Sequence, residues 1–257
     1  MDLWNDIPNM SLLAAPAVLL LGRVSGFVMV LPLFGWTMLP MMVRAGIATL
    51  LTVFLACNGA MPSVDTLDQP LFALGALLVQ EVLLGVAMGL AANLVFQSVQ
   101  MAGKMISVEM GLSEAGIIDP VSGEDIDSLE MFLQMTFAIL FLAAGGHRLL
   151  IGVLVRSFDA FPIAAMPDLG ALTDMLVSAG ADMLTFMLSL AAPTVAAFLV
   201  ITVALGVLAR ALPEINVLFL SLPIRMGVGV LMAAALVPTL GTFSQDLGQW
   251  LHRNLGG

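Results

Sequence analysis

The sequence predicts an all-α integral membrane protein with about six to eight apolar helices that are broken by proline and glycine. Hydrophobic residues make up 60% of the 257 residues. Charged residues make up 10%, whereas soluble domains contain roughly 25%. Residues 12–30 and 186–208 each contain at most one charge. Lipid or protein must cover such segments, so the composition argues against a soluble enzyme.

Six apolar segments follow one another along the chain, and a membrane-spanning helix needs ~20 residues. They are residues 12–31, 41–57, 71–110, 131–158, 183–209 and 215–240. Segment 71–110 is about twice a bilayer span, so it is either a hairpin or a long helix that leaves the membrane. Segment 131–158 contains Gly145-Gly146-His147-Arg148, a turn signal that predicts two shorter helices.

Prolines in or beside these segments predict kinks and helix ends. They are Pro32, Pro40, Pro162, Pro167, Pro193, Pro213, Pro223 and Pro238. Glycines four residues apart, Gly22 with Gly26 and Gly85 with Gly89, allow two helix backbones to approach closely. The single cysteine, Cys57, excludes an intrachain disulfide and is expected to be a small buried side chain.

The net charge of −10 comes from acids in the connections between apolar segments, which argues against nucleic acid as a partner. With eight lysines and arginines in total, the loop charges do not determine the orientation in the membrane. The sequence has no nucleotide-binding or zinc-peptidase motif and no cluster of cysteine and histidine. No catalytic residue, cofactor or metal site is therefore predicted.

Ionisable side chains inside or beside the apolar segments are candidates for function. They are Arg23, Glu81, Lys104, Glu109, Arg210, Glu214 and Arg225. Each would cost about 2.5–3.5 kcal/mol at a lipid-exposed helix centre, which favours internal pairing or a hydrated environment. Arg23 and Glu81 lie near mid-segment, which favours a pore, a gate or a subunit contact. Arg210 and Arg225 lie near prolines, which favours snorkelling or loop-end charges.

A polar stripe at helical spacing begins in the second half of segment 71–110 and continues beyond its end. It consists of Asn93, Gln97, Gln100, Lys104, Ser107, Gly111 and Glu114, and it leads into an acidic connection. The stripe indicates either a helix that lines a hydrated conduit or an amphipathic helix whose polar face meets water beyond the bilayer.

Four blocks of sequence, in order, carry a family resemblance. The first has Arg23-Val24-Ser25-Gly26, Pro32-Leu33-Phe34, Pro40 and Val43-Arg44; the second has Gln80 to Gly89, Ala102-Gly103, Met110-Gly111-Leu112-Ser113 and Asp119-Pro120. The third has Gly146-His147, Ser157-Phe158 and Phe161-Pro162-Ile163, and the fourth has Pro213-Glu214-Ile215-Asn216 and Pro223-Ile224. These blocks resemble the family of the flagellar biosynthetic protein FliR and the injectisome T subunit. The chain departs from the family pattern at Ala45, Glu109, Gly145 and Glu214.

The resemblance implies a structural and gating subunit of the flagellar type III protein export gate, in the bacterial inner membrane and the flagellar basal body. One such subunit is implied to join several FliP and FliQ subunits, to contact FlhB, FlhA and membrane lipid, and to pass unfolded export substrates. Its helical hairpins would pack within this larger helical assembly. Residues 1–257 would form one subunit, with a FliP-like part at about 1–180 and a FliQ-like part at about 181–257. The assembly residues would be Arg23, Arg44, Glu81, Glu109, His147, Arg210, Pro213, Glu214 and Arg225.

The resemblance also implies that a loop plugs the closed channel. In this sequence the loop would consist of Met110, Gly111, Leu112, Ser113, Gly116, Ile117, Ile118, Asp119, Pro120 and Gly123. A glycine-containing loop that continues the polar stripe fits a movable plug, with Ile117 and Ile118 as its apolar tip.

Two alternatives are compatible with the sequence. One is the injectisome T subunit of the same family. The other is a secondary transporter that uses Glu81 and Arg23 at a site near the bilayer midplane. Such transporters usually contain a paired inverted repeat, and none is evident in the sequence.

Overall fold

The computed structural model describes residues 7–31, 40–57, 71–111, 128–163, 169–212, 214 and 216–254. Within these ranges the regular structure is helical, which confirms the all-α prediction. The helices are α1 (Ile7–Val30), α2 (Met41–Cys57), α3 (Leu71–Met110), α4 (Ser128–Ala143), α5 (Gly146–Ala160), α6 (Leu169–Ala211) and α7 (Val217–Asn254).

Three of the described helices are long and apolar enough to cross a membrane. Their apolar stretches are Phe72–Met110 in α3, Leu169–Ala211 in α6 and Phe219–Phe243 in α7. The pair of α4 and α5 would count as a fourth span with a sharp bend. The prediction of an integral membrane protein is therefore confirmed.

Segment 71–110 is one continuous helix of 40 residues, so the hairpin alternative is wrong. Segment 131–158 is divided as predicted, and the turn between α4 and α5 contains Gly145, whose φ of 85° suits a glycine. Helix α6 begins at residue 169, well before the apolar segment that starts at 183. Aspartates at 174 and 182 interrupt the apolar sequence there without interrupting the helix.

Prolines end helices at some positions and not at others. Pro40 precedes α2 and Pro162 follows α5, as expected. Pro193 lies inside α6, and Pro223 and Pro238 lie inside α7, so these three prolines do not end a helix. Long membrane helices accommodate proline because neighbouring groups can satisfy the carbonyl that its ring leaves unbonded. Pro32, Pro167 and Pro213 lie outside the described residues.

The described residues form two compact units. The first takes residues within Met1–Leu94, His147–Gly180 and Gly248–Gly257, and the second takes residues within Val95–Gly146 and Ala181–Leu247. In the first unit α1 packs against α2 and against the first half of α3. In the second unit the other half of α3 packs with α4 and α7, and α7 packs with α6.

Glycines bring the backbones of α1 and α3 into direct contact in the first unit. A methyl group at Gly26 would lie 2.5 Å from the carbonyl oxygen of Val82, and one at Gly89 would lie 2.8 Å from that of Phe27. A methyl group at Gly85 would overlap the carbonyl oxygen of Arg23. The predicted close approach is confirmed, because only hydrogen fits at these positions.

Phenylalanine rings form the core of the second unit. The Phe96 ring of α3 lies 5.2 Å from that of Phe137 and 4.9 Å from that of Phe141, both on α4, in edge-to-face geometry. Phe243 of α7 lies 5.5 Å from Phe137 and 5.0 Å from Phe186 of α6. Aromatic pairs in such geometries add to the stabilisation from burial alone.

Much of the apolar surface is not covered by the chain itself. Burial within the chain reaches 22% in the apolar window of α6 and 17% in that of α7. Cys57, at the end of α2, is exposed, so the expectation that it is buried is wrong. Apolar composition does not distinguish a side chain in the chain's own core from one that contacts lipid or another subunit.

Candidate functional site

Polar residues of α3 and α4 meet at the start of α4, the helix that follows residues 112–127. The amide nitrogen of Gln100 donates a hydrogen bond to the carboxylate of Glu130, in the first turn of α4. The amide nitrogen of Gln134, one turn further on, lies 3.5 Å from the amide oxygen of Gln100. These contacts join one member of the polar stripe to the start of the next helix.

Helices α3 and α4 also pack closely against each other beside these polar contacts. A methyl group at Gly103 would lie 3.1 Å from the Cα atom of Glu130 and 3.3 Å from Leu133. Gly103 therefore lets α4 lie close to α3. Because Gly103 faces Glu130 whereas Phe96 faces Phe141, the two helices run antiparallel and form a hairpin.

Arg225 of α7 binds the last turn of α3. Nη1 of Arg225 donates a hydrogen bond of 2.7 Å to the backbone oxygen of Glu109, and Nη2 donates one of 2.9 Å to the hydroxyl of Thr202 on α6. Nη1 also lies 4.0 Å from the Glu109 carboxylate. Arg225 thus has specific partners, although the sequence favoured a snorkelling or loop-end charge.

Met110 and Gly111 end α3 just beyond that contact. The Met110 side chain is buried and lies against Gly229 of α7, where a methyl group would overlap it. Gly111 has a φ of 78°, and its N–H donates a 3.0 Å hydrogen bond to the carbonyl of Val108. Glycine adopts a positive φ without steric cost, so it is a common residue at the end of a helix.

The polar stripe is not uniformly open to solvent. Lys104 is exposed and Asn93 and Gln97 are half-buried, whereas Ser107 is buried. Its residues therefore lie in several environments on one helix. The proposed plug residues Leu112, Ser113, Gly116, Ile117, Ile118, Asp119, Pro120 and Gly123, and with them Glu114, lie outside the described residues.

A second polar centre lies in the first unit, around Arg23. Its Nε donates a 2.6 Å hydrogen bond to the Glu81 carboxylate, and both side chains are fully buried. Its Nη1 donates to the backbone oxygens of Ser157 at 3.0 Å and Phe161 at 2.8 Å. The guanidinium lies 4.7 Å from the centre of the Phe158 ring. One side chain of α1 thus binds α3 and the carboxyl end of α5.

The other candidate assembly residues are spread over the chain. Arg44 is half-buried in α2, whereas His147, Arg210 and Glu214 are exposed. Arg210 lies in the last turn of α6, a favourable place for a cation. Pro213 lies outside the described residues. In the part of the chain that the structure describes, no group of three or more His, Cys, Asp or Glu could hold a metal ion.

Sequence reasoning missed several partners of these residues. Glu130 precedes the apolar segment 131–158 in the sequence, and no sequence pattern indicates a role for Gln134, Thr202 or Gly229. Gly103 and Gly229 are four residues from Ser107 and Arg225 respectively, so each shares a helix face with a polar residue. That spacing is a weak signal, because small residues are common in membrane helices.

Comparison with known proteins identifies the family. Residues 14–249 match the family described as bacterial export proteins, family 1. The flagellar biosynthetic protein FliR of Escherichia coli (strain K12) is 32% identical over 88% of this chain and 85% of its own length. FliR of Bacillus subtilis (strain 168) is 32% identical over 84% of each chain. The surface presentation of antigens protein SpaR of Salmonella typhimurium is 28% identical over 80% of this chain and 79% of its own length.

These similarities extend over most of the chain and over most of each relative. Together with the apolar helices they make it a membrane protein and a subunit of a type III export apparatus, not an enzyme. The chain belongs to family 1 of the bacterial export proteins, the family of FliR that its sequence blocks resemble.

Proposed function

We propose that the chain is a structural and gating subunit of the flagellar type III protein export gate. With FliP and FliQ it would form the conduit for unfolded flagellar substrates across the inner membrane. The observation that carries this proposal is the similarity over 88% of the chain to a protein named for flagellar biosynthesis. FlhB and FlhA are the further partners we propose, in the flagellar basal body.

The gating role is assigned to residues 110–123, as the sequence resemblance implies. Its support is the hairpin of α3 and α4, because both helix ends that flank residues 112–127 are held by specific contacts. Glu130 binds Gln100 at the start of α4, and Arg225 binds the backbone of Glu109 at the end of α3. A plug attached to fixed helix ends returns to the same place after each opening.

The structural role is assigned to the exposed apolar helices and to the candidate assembly residues. Hydrophobic faces that the chain does not cover itself fit contacts with several neighbouring subunits, with lipid at the margin. We assign the FliP-like contacts to about residues 1–180 and the FliQ-like contacts to about residues 181–257. The exposed Lys104 and the half-buried Asn93 and Gln97 are the part of the stripe proposed to border the conduit.

The injectisome T subunit is the second candidate, favoured by the similarity to SpaR. The secondary-transporter alternative is not retained, because the family is one of export proteins and Arg23 and Glu81 are fully buried and paired.

Gene deletion and complementation in the source bacterium test the proposal. We expect the deletion strain to lack flagella and to regain them with the wild-type gene. A variant without residues 111–123 should make the cells permeable to small solutes, because the conduit would lose its plug. Flagella that persist in the deletion strain would support the injectisome candidate. Unchanged permeability in a correctly assembled complex would contradict the assignment of the plug.

A further inference from the structure

The contact between Arg225 and Glu109 in the second unit leaves the carboxylate of Glu109 without a hydrogen bond. Nη1 of Arg225 donates to the backbone oxygen of Glu109, and Nη2 donates to the hydroxyl of Thr202. The Glu109 carboxylate lies 4.0 Å from Nη1, which is beyond hydrogen-bond distance. Among the residues that the structure describes, none donates a hydrogen bond to this carboxylate. Arg225 therefore balances its charge but does not use its capacity to accept hydrogen bonds.

This polar contact can be reached from outside the chain and has apolar neighbours. The side chain of Glu109 is 35% exposed and that of Arg225 is 24% exposed. Leu199 lies three residues before Thr202, and Leu222 lies three residues before Arg225, so each leucine is a neighbour of a polar residue on its helix surface. Both leucines are exposed. We call these five residues the Glu109 patch.

Lipid tails and water each suit only one half of the Glu109 patch. Lipid tails would cover the leucines, but they offer no hydrogen-bond donor to a carboxylate, and a charge that faces lipid is costly. Water would donate to the carboxylate, but it would leave the leucines hydrated. A neighbouring membrane helix suits both halves, because its apolar side chains can cover the leucines while one polar side chain reaches the carboxylate.

Charge balance indicates which kind of polar side chain the neighbouring helix carries. Arg225 and Glu109 together have no net charge, so a cation from the neighbour would add an uncompensated positive charge to an apolar contact. An amide or hydroxyl group donates a hydrogen bond without adding charge.

We propose that the Glu109 patch docks a membrane helix of another subunit. An asparagine, glutamine, serine or threonine of that helix donates a hydrogen bond to the Glu109 carboxylate. This inference rests on the structural role proposed above, and it specifies one contact surface and the chemistry of the partner.

Photo-crosslinking in cells tests whether a helix covers the patch. A benzophenone side chain replaces Leu222 in the full chain, and mass spectrometry of the detergent-extracted complex identifies the crosslinked segment. Leu199 is the second site, for use if the first variant does not accumulate. We expect an apolar helix of a different membrane protein, with asparagine, glutamine, serine or threonine within one turn of the crosslinked residue. Crosslinks to lipid alone, or none, would overturn the inference.

Substitutions of Glu109 test the chemistry of the contact. Glu109→Ala removes the acceptor and should lower the crosslink yield about 10-fold, because a hydrogen bond to a charged group is lost. Glu109→Gln keeps an acceptor for a neutral donor and should retain most of the yield. The control is the exposed acid in Asp174→Ala, which should match the wild type. If Glu109→Gln lowers the yield as much as Glu109→Ala does, the partner is a cation and the neutral donor is wrong.

Failure of this inference and failure of the proposed function give different results. Crosslinks to lipid alone, together with loss of flagella in the deletion strain, would overturn the docked helix and leave the flagellar role in place. A crosslinked helix, together with flagella that persist in the deletion strain, would support the docked helix and overturn the flagellar role.

Discussion

Two arginines in this chain cap helices to which they do not belong. Arg23 of α1 binds backbone oxygens at the carboxyl end of α5, and Arg225 of α7 binds one at the end of α3. An apolar environment raises the free energy of an unpaired carbonyl and of an unpaired guanidinium. Each contact pairs a carbonyl oxygen with a guanidinium N–H, which lowers the cost of placing these charges inside apolar sequence.

The fully buried pair of Arg23 and Glu81 should contribute strongly to stability. We expect Glu81→Ala to lower the free energy of unfolding by about 3–5 kcal/mol, because it leaves a buried guanidinium without its counter-charge. Denaturant titration of the complex in mixed micelles measures the change. The exposed acid in Asp174→Ala is the control and should stay within about 0.5 kcal/mol of the wild type. Equal stability of the two variants would contradict this account of the pair.

At the scale of elements, the crossing of α1 and α3 combines this ion pair with the glycine contacts. Gly85 lies one turn from Glu81 and faces the backbone of Arg23, so polar pairing and close packing occupy the same place. A shift of either helix would disturb both interactions. The crossing therefore specifies one register of α1 on α3.

We expect Gly85→Ala to destabilise the crossing, because the added methyl group overlaps the Arg23 carbonyl and forces the helices apart. Overpacking of this kind typically costs about 1–3 kcal/mol. The matched control is Gly75→Ala on the same helix, where a Cβ atom meets no neighbour. That variant should be neutral, or stabilised by up to about 1 kcal/mol through helix propensity. The same titration measures both variants, and equal behaviour would show that the backbones are not in contact.

The elements could largely be predicted from the sequence, whereas the contacts between them could not. Runs of apolar residues located most helices, and Gly145 marked the break between α4 and α5. Composition misplaced the start of α6, because this helix begins in a stretch that contains charged residues, before its apolar segment. Arg23 and Glu81 could be recognised as costly to expose, yet their pairing joins residues 58 positions apart. A single sequence does not show which distant residues are in contact. The roles of Thr202 and Gly229 are therefore recognised only in the structure, where both lie near Arg225 or on its helix face.

For the molecule as a whole, uncovered apolar surface is the dominant property. Val200, Val203 and Val207 are exposed along one face of α6, and Phe219 and Leu231 are exposed on α7. Lipid would cover such faces adequately. A charge in an apolar helix, such as Glu109 with 35% of its side chain exposed, would be costly against lipid and favours a protein or hydrated neighbour. We therefore propose that other subunits, together with lipid, cover these faces.

Mass spectrometry of the intact detergent-extracted complex tests that conclusion. We expect one copy of this chain together with several copies of two different small membrane proteins, since a subunit whose apolar faces are interfaces does not leave the membrane alone. Val203→Lys places a charge on the exposed apolar face of α6 and should release these partners. Thr173→Lys, at an exposed polar position of the same helix, should retain them. Recovery of the wild-type chain alone or as a homo-oligomer would mean that lipid covers these helices, because no heterologous interface would then exist for Val203→Lys to break.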